Sequence, residues 1–236
     1  MGNIKIAIID DDNERAFFLR LFLEDYIESL DDHKFNQLFN GCEIVEISLK
    51  TDLSEMTKSI LEASPDCVLV DYRLDSQIGI GYNGVDLAES IEAHLYKIPL
   101  FILTSYEDDL FRNSLFSAYQ VYDIPLFFEK ASEAYSSGGE DGFDNEIAKK
   151  IVQESISYQY RLRAARKELE KLLALDSRTA EDDSKILELD SFLEHSLDQS
   201  YAMPAKVKKD LSSDKFTELI DKVDLLLEVA KNGQSS

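Results

Sequence analysis

The stretch IKIAIIDDDNER, residues 4–15, runs an apolar segment directly into three consecutive aspartates. Its apolar residues, interrupted only by Lys5, predict a buried β-strand from Ile4 to Asp10. In open parallel sheets, reactive groups gather beyond the carboxyl ends of the strands, where the loops meet. The sequence therefore predicts an acidic site at the end of this first strand.

The first 130 residues alternate short apolar runs with longer amphipathic runs, a pattern typical of a parallel sheet flanked by helices. Further strands are predicted at Cys42 to Ser48, Asp66 to Asp71, Pro99 to Thr104 and Pro125 to Glu129. Helices are predicted at Asn13 to Ser29, Asp52 to Ala63, Val85 to Tyr96 and Asp108 to Tyr119. In the first helix we expect Phe17, Leu21 and Ile27 to be buried. Right-handed crossovers would wind these elements into a doubly wound, five-stranded parallel sheet.

The remaining chain has a different pattern. Three of the nine glycines lie within Gly138 to Gly142, and no Gly or Pro occurs from Asp144 to Leu175, which predicts a turn followed by a long helix. A heptad-like seam runs along this helix at alternating spacings of four and three, formed by Ile151, Ser155, Tyr158, Leu162, Ala165, Leu169 and Leu172. Shorter helices are predicted at Ser184 to Ser200 and Asp214 to Lys231.

These patterns divide the chain into an α/β domain, residues 1–136, and an all-helical extension, residues 137–236. We expect the extension to serve in dimerisation or in docking a partner protein. The seam predicts a homodimer through residues 145–175, unless the two later helices fold back and cover it.

Charge and apolar patterning limit the function classes. The chain has 25 Lys and Arg residues against 47 Asp and Glu residues, a net charge of -22, which argues against nonspecific binding to nucleic acid or anionic membranes. The longest apolar runs have the length of strands and no signal segment precedes them, so we expect a cytoplasmic protein. We interpret Cys42 and Cys67, both in predicted strands, as free thiols.

Each predicted strand brings polar residues to the same edge of the sheet. In strand order these are Asp10 with Asp11 and Asp12, then Asp71, then Thr104 with Ser105, and finally Lys130. Facing carboxylates repel one another unless a cation neutralises them, and oxygen ligands favour Mg2+. A hydroxyl and an ammonium group beside that ion would hold a phosphoryl group. We interpret Asp12 as the cap of the helix that begins at Asn13, not as a ligand.

These motifs, in this order, resemble the flavodoxin-like receiver domain of two-component response regulators over roughly residues 3–135. The resemblance implies that Asp71 accepts a phosphoryl group from a histidine kinase or a phosphotransfer protein. It also implies that Mg2+ is bound by Asp10, Asp11, Asp71 and the backbone carbonyl of Arg73, and that Lys130 pairs with the acyl phosphate.

The same resemblance implies roles in switching and in phosphoryl lifetime. Thr104 and Phe127 match the hydroxyl and the aromatic residue that move when the receiver is phosphorylated. Arg73 and Tyr106 match the two positions that tune the lifetime of the phosphoryl group. In this reading the protein is not an enzyme but a phosphoacceptor regulator that assists its own phosphorylation and dephosphorylation.

Two local features depart from the family pattern. Ala131 follows Lys130 where receivers usually have a proline, which puts the position of the lysine in doubt. The segment RLDSQIGIGYNG, residues 73–84, is longer than is usual, and its Gly79, Gly81 and Gly84 suggest a mobile flap.

Several other functions were weighed. The Asp10-x-Asp12 spacing matches a haloacid-dehalogenase-like phosphatase, but the glycine-containing turn of that family is absent. The helical extension carries 15 Lys and Arg against 21 Asp and Glu, a net charge of -6, so we expect no DNA binding. An RNA-binding antiterminator output remains an alternative, and His195 partly resembles the histidine of a phosphotransfer module. A degenerate receiver that only binds partners is also open.

Overall fold

The computed structural model describes residues 3–30, 41–74, 79–104, 120–123, 146–198, 202–204 and 207–208. The strands in these ranges are β1 (Ile4–Ile9), β2 (Cys42–Glu46), β3 (Cys67–Asp71), β4 (Leu100–Thr104) and β5 (Gln120–Asp123). The helices are α1 (Asn13–Ser29), α2 (Leu53–Ala63), α3 (Gly84–Glu92), α4 (Glu146–Leu173) and α5 (Ala180–Asp198).

The strands form one parallel sheet in the order β2-β1-β3-β4-β5. β1 and β3 are neighbours, with Ile9 opposite Val70, so their carboxyl ends lie side by side. The α/β class with a parallel sheet and flanking helices is confirmed. Cys42 and Cys67 lie on the two strands that flank β1, opposite Ile4 and Ile6. Their Cα atoms are therefore at least about 9.5 Å apart, which is too far for a disulfide, and both are free thiols.

The strand next to β4 is not the one that the sequence suggested. β5 is Gln120–Asp123, with Asp123 opposite Thr104, whereas we predicted Pro125 to Glu129. Val121 and Tyr122 favour strands as much as the later run does, so local propensity did not decide between them. The predicted run itself and the predicted helices Asp108 to Tyr119 and Asp214 to Lys231 lie outside the described residues.

Both faces of the sheet are covered by helices. Ile4, Ile6 and Ile8 point to a core formed with α1 and the start of α4, while Ala7 and Ile9 point to a core formed with α2 and α3. This alternation is the period of two that a strand imposes on its side chains. Burial on both sides explains why the strands read as nearly continuous apolar runs.

α1 begins and ends where the sequence predicted, but its buried face is different. Phe17 and Leu21 are 42% and 38% exposed, so the prediction that they belong to the core is wrong. The buried residues of α1 are Ala16, Leu19, Phe22, Leu23 and Tyr26. Because α1 carries apolar residues on two faces, helical periodicity alone did not select the face that meets the sheet.

α4 packs on two different parts of the molecule. Ile147, Ala148, Ile151 and Val152 are buried in the core with β1, β3 and α1. Further along, α4 packs against α5, and the Tyr158 hydroxyl donates to the Ser196 carbonyl at 3.3 Å. α4 therefore belongs by packing to both the α/β part and the helical part of the chain.

The seam predicted along α4 is covered within the chain itself. Ile151, Ser155, Tyr158, Ala165 and Leu172 are buried, and Leu162 and Leu169 are partly buried. The packing of α4 against α5 corresponds to the fold-back alternative. The homodimer expected through residues 145–175 would need a stripe that the described residues already cover.

α5 is attached to the α/β part at the turn after α3. The backbone N–H of Tyr96 donates to the His195 carbonyl at 3.0 Å, and the Tyr96 ring contacts the rings of His195 and Phe192 edge to face. None of the helices in the described part of the chain is long and apolar enough to cross a membrane.

Candidate functional site

The end of β1 carries the three aspartates of the opening stretch, and they have different roles. Asp10 and Asp11 are buried, and Asp10 accepts a hydrogen bond from the Asp12 backbone N–H at 2.8 Å. The Asp12 carboxylate accepts from the backbone N–H groups of Glu14 and Arg15 at 3.0 and 3.2 Å. Asp12 is thus the N-cap of α1, as predicted, and its carboxylate is occupied by that task.

Asp71, the last residue of β3, joins Asp10 and Asp11 at the same edge of the sheet. The three residues are buried, and each offers one carboxylate oxygen within 4.8 Å of the others. The pairing of β1 with β3 produces this cluster, because it aligns the carboxyl ends of two strands that are distant in sequence. The structure thus brings together the three predicted carboxylate ligands.

Thr104, the last residue of β4, lies at the same edge. It is buried, and the preceding residue, Leu103, is opposite Asp71 in the sheet register. The backbone N–H of Tyr72 donates to the Leu103 carbonyl at 2.8 Å, so the pairing of β3 with β4 continues one residue past the end of β3. The other predicted site residues, Tyr106, Phe127 and Lys130, lie outside the described residues.

Arg15 is a site residue that the sequence interpretation missed. Its Nε and Nη2 atoms donate to the two carboxylate oxygens of Asp10, each at 2.6 Å. Nη2 also lies 2.5 Å from Asp71 Oδ2 and 3.4 Å from Asp11 Oδ1. One signal was present in the sequence, because Arg15 follows Asp11 by four residues, the spacing of neighbours on a helix face.

Burial and mutual repulsion shift the protonation of this cluster. Burial, and then the charges of Asp10 and Asp11, raise the pKa of Asp71 to about 7, although the Arg15 guanidinium lowers it. Burial also raises the pKa of Asp10 above its usual value, against the lowering effect of the Arg15 hydrogen bonds. One arginine therefore does not fully compensate three buried carboxylates.

Gly84 sets the close packing behind Asp71. A Cβ atom at this position would lie 2.2 Å from the Asp71 carbonyl oxygen, and the Gly84 N–H donates to the Tyr72 carbonyl at 2.8 Å. Gly84 is the first residue of α3, so the expectation that it belongs to a mobile flap is corrected. Gly79 has a φ of 65°, a conformation that favours glycine.

The donor set fits a hard divalent cation. Three carboxylates supply oxygen ligands only, which suits Mg2+. The backbone N–H of Arg73 donates to the Asp71 carboxylate, so the loop after β3 turns back over the site, while the Arg73 side chain is exposed. Such an ion would neutralise the charge of the three carboxylates.

The alternative sites are less well supported by the geometry. The capping role of Asp12 removes the second acid that a haloacid-dehalogenase-like phosphatase would need. His195 packs against Tyr96, and its Nδ1 lies 2.6 Å from the Ser191 carbonyl oxygen, so it is half-buried and not a free surface histidine. Lys208, in the basic stretch KVKK at residues 206–209 that could serve RNA binding, is buried in ion pairs with Asp190 and Glu194.

No protein-family model and no curated protein sequence matches the chain. Among solved structures, it is similar to the signal receiver domain of a modulated diguanylate cyclase from Desulfovibrio desulfuricans G20, at 18% identity over 58% of this chain and 93% of that one, with a TM-score of 0.39.

Two further receivers are similar to it. The signal receiver domain of a DNA-binding response regulator from Colwellia psychrerythraea 34H has 21% identity over 57% of this chain and 97% of that one, with a TM-score of 0.38. The Vibrio cholerae chemotaxis protein CheY4 has 12% identity over 58% and 98%, with a TM-score of 0.36. Part of this chain is thus similar to the receiver domains of response regulators.

Proposed function

We propose that the protein is a two-component response regulator of the cytoplasm. Its α/β part accepts a phosphoryl group on Asp71 from a histidine kinase or a phosphotransfer protein, and its helical part acts through contacts with an output protein. The observation that carries this proposal is the meeting of Asp10, Asp11 and Asp71 at one sheet edge, with Thr104 at the end of the next strand.

The phosphoryl transfer follows from the properties of Asp71. Its ionised carboxylate oxygen attacks the phosphorus of a phosphohistidine, a P–O bond forms, the P–N bond breaks, and the imidazole leaves with the electron pair. Mg2+ bound by Asp10, Asp11, Asp71 and the Arg73 carbonyl would supply charge neutralisation to the transferring oxygens. Lys130 would supply a second cation, and Thr104 would donate its hydroxyl to the new acyl phosphate.

The route to the output is the long helix α4. Its first turns pack on the sheet through Ile147, Ala148 and Ile151, and its later turns pack against α5. A change in the packing of the sheet would therefore reach the helical part through one continuous helix, without a flexible linker. This supports an output that works by protein contact.

Phosphorylation by a small phosphodonor with Mg2+, followed by intact-mass measurement, tests the acceptor. Wild type should gain one phosphoryl group, and Asp71→Asn should gain none. Asp66→Asn is the matched control, because Asp66 is also buried and lies at the opposite end of the same strand. Labelling that persists in Asp71→Asn, or that maps to His195, would contradict the proposal, and no labelling of wild type would favour a degenerate receiver.

The lifetime of the phosphoryl group is a separate part of the proposal. Hydrolysis requires water in line with the acyl bond, and the large side chains of Arg73 and Tyr106 would shield that approach. We expect Arg73→Asn/Tyr106→Glu to lose its phosphoryl group faster than wild type does. Intact-mass measurements over time compare the loss of the phosphoryl group in this variant and in wild type. Equal or slower loss in the variant would exclude the shielding role.

A further inference from the structure

We propose that Arg15 is a built-in counter-cation of the acidic site and that Mg2+ enters only by displacing it. This inference rests on the proposed function, which supplies the identity of the metal. It concerns a residue of this chain that the resemblance to receivers did not include.

The distances around a single nitrogen carry the inference. Arg15 Nη2 lies 2.6 Å from Asp10 Oδ1, 2.5 Å from Asp71 Oδ2 and 3.4 Å from Asp11 Oδ1. One atom of the guanidinium thus contacts an oxygen of all three carboxylates that form the candidate metal cluster. It occupies the position that an ion shared by these residues would need.

The Arg15 guanidinium and Mg2+ cannot occupy the carboxylate cluster at the same time. Mg2+ requires oxygen ligands at about 2.1 Å in octahedral geometry, so it would sit among the oxygens that Nη2 now contacts. A guanidinium and a dication at that separation would repel each other strongly in a buried site. Metal binding is therefore an exchange of one cation for another and not the filling of an open position.

The surroundings of Arg15 allow the exchange. Its side chain is 24% exposed, so the guanidinium has a path to solvent.

Calorimetric titration with Mg2+ at pH 8 tests the exchange. Arg15→Met keeps an unbranched side chain similar to the aliphatic part of arginine but removes the charge. It should bind Mg2+ roughly ten- to a hundredfold more tightly than wild type, because charge-assisted hydrogen bonds no longer have to be broken. Arg20→Met, on the same helix and paired with Glu46, is the control and should bind like wild type. Equal or weaker binding in Arg15→Met would overturn the inference.

NMR can observe the Arg15 guanidinium directly. The Arg15 Nε–H, which donates to Asp10, should give a side-chain NMR signal that is absent from Arg15→Met. Saturating Mg2+ should shift this signal to that of a solvent-exposed arginine. A signal that stays unchanged while Mg2+ binds would contradict displacement.

The outcomes separate the inference from the proposed function. If wild type and Arg15→Met bind Mg2+ equally while Asp71 still accepts phosphate, only the inference fails. If neither binds Mg2+ at millimolar concentration, both the exchange and the metal-dependent mechanism fail. Arg15→Lys is a second variant in case Arg15→Met misfolds. Its single ammonium group cannot make the bidentate contact with Asp10, so its affinity for Mg2+ should lie between those of wild type and Arg15→Met.

Discussion

Two buried aspartates at opposite ends of β3 are held in opposite ways. Asp66, just before the strand, accepts from the Lys5 backbone N–H at 2.8 Å and from the Gln159 side-chain amide. Asp71, at the far end, faces Asp10 and Asp11 and is compensated chiefly by the side chain of Arg15. Burial raises the pKa of both carboxyl groups.

The difference separates a structural carboxylate from the proposed phosphoacceptor. The partners of Asp66 are a backbone group and an amide of α4, neither of which titrates, so this aspartate fastens α4 to the base of the sheet. The charged neighbours of Asp71 include the Arg15 guanidinium, which a metal ion would replace in the exchange proposed above. Burial alone therefore does not distinguish the two carboxyl groups, whereas the crowding of like charges around Asp71 does.

The largest effect on this comparison should come from Gly84. A methyl group there would collide with the Asp71 backbone, so Gly84→Ala should lower the free energy of unfolding by about 3 kcal/mol and abolish phosphorylation. Urea unfolding and intact mass measure the two effects. Gly81→Ala is the matched control and should be nearly neutral, since nothing lies within 4 Å of a Cβ at that position. Normal labelling of Gly84→Ala would show that the strand end tolerates displacement.

The next largest effect should come from Asp66, at the start of β3. Asp66→Ala leaves two buried donors without their acceptor and should reduce the free energy of unfolding by about 2 to 3 kcal/mol. Asp71→Ala, which relieves repulsion, should change it by less than about 1 kcal/mol in the metal-free protein. Chemical denaturation at pH 8 compares them directly. Equal losses in the two variants would erase the distinction drawn between the two ends.

A third prediction concerns pH. The folded protein binds a proton on Asp71 with a pKa of about 7, against the usual value of 3.8, so the folded state is favoured at low pH. Metal-free stability should fall by roughly 4 kcal/mol as the pH rises from about 4 to 8. Thermal denaturation should show this slope in wild type and a flatter slope in Asp71→Asn. Asp52→Asn, which retains an N-cap residue on α2, should keep the wild-type slope.

The smallest expected effect on stability is that of Tyr158, on the part of α4 that packs against α5. Tyr158→Phe removes the hydrogen bond to the Ser196 carbonyl but keeps the buried ring, so it should cost about 0.5 to 1 kcal/mol. Urea unfolding measures the loss, and light scattering of the same samples should give a monomer, because the seam is covered within the chain. A stable dimer in wild type near ten micromolar would restore the homodimer expected through residues 145–175.

The sequence predicted the elements that depend on local pattern. The spans of β1 to β4 follow from apolar runs of strand length, and the start of α1 follows from the capping residue Asp12. α2 begins at Leu53, one residue after the predicted start at Asp52, because Asp52 is its N-cap. The meeting of Asp10, Asp11 and Asp71 was predicted as well, because parallel strands align their carboxyl ends whatever their separation along the chain.

The tertiary structure decided the questions that a one-dimensional pattern leaves open. α1 has two apolar faces, and only the sheet selected Leu19 and Leu23 over Phe17 and Leu21. The seam of α4 looked the same whether a second copy or α5 covered it, since apolar burial is not directional. The role of Arg15 depended on a side chain reaching across to β3, 56 residues away, and a distance of that kind is set by folding alone.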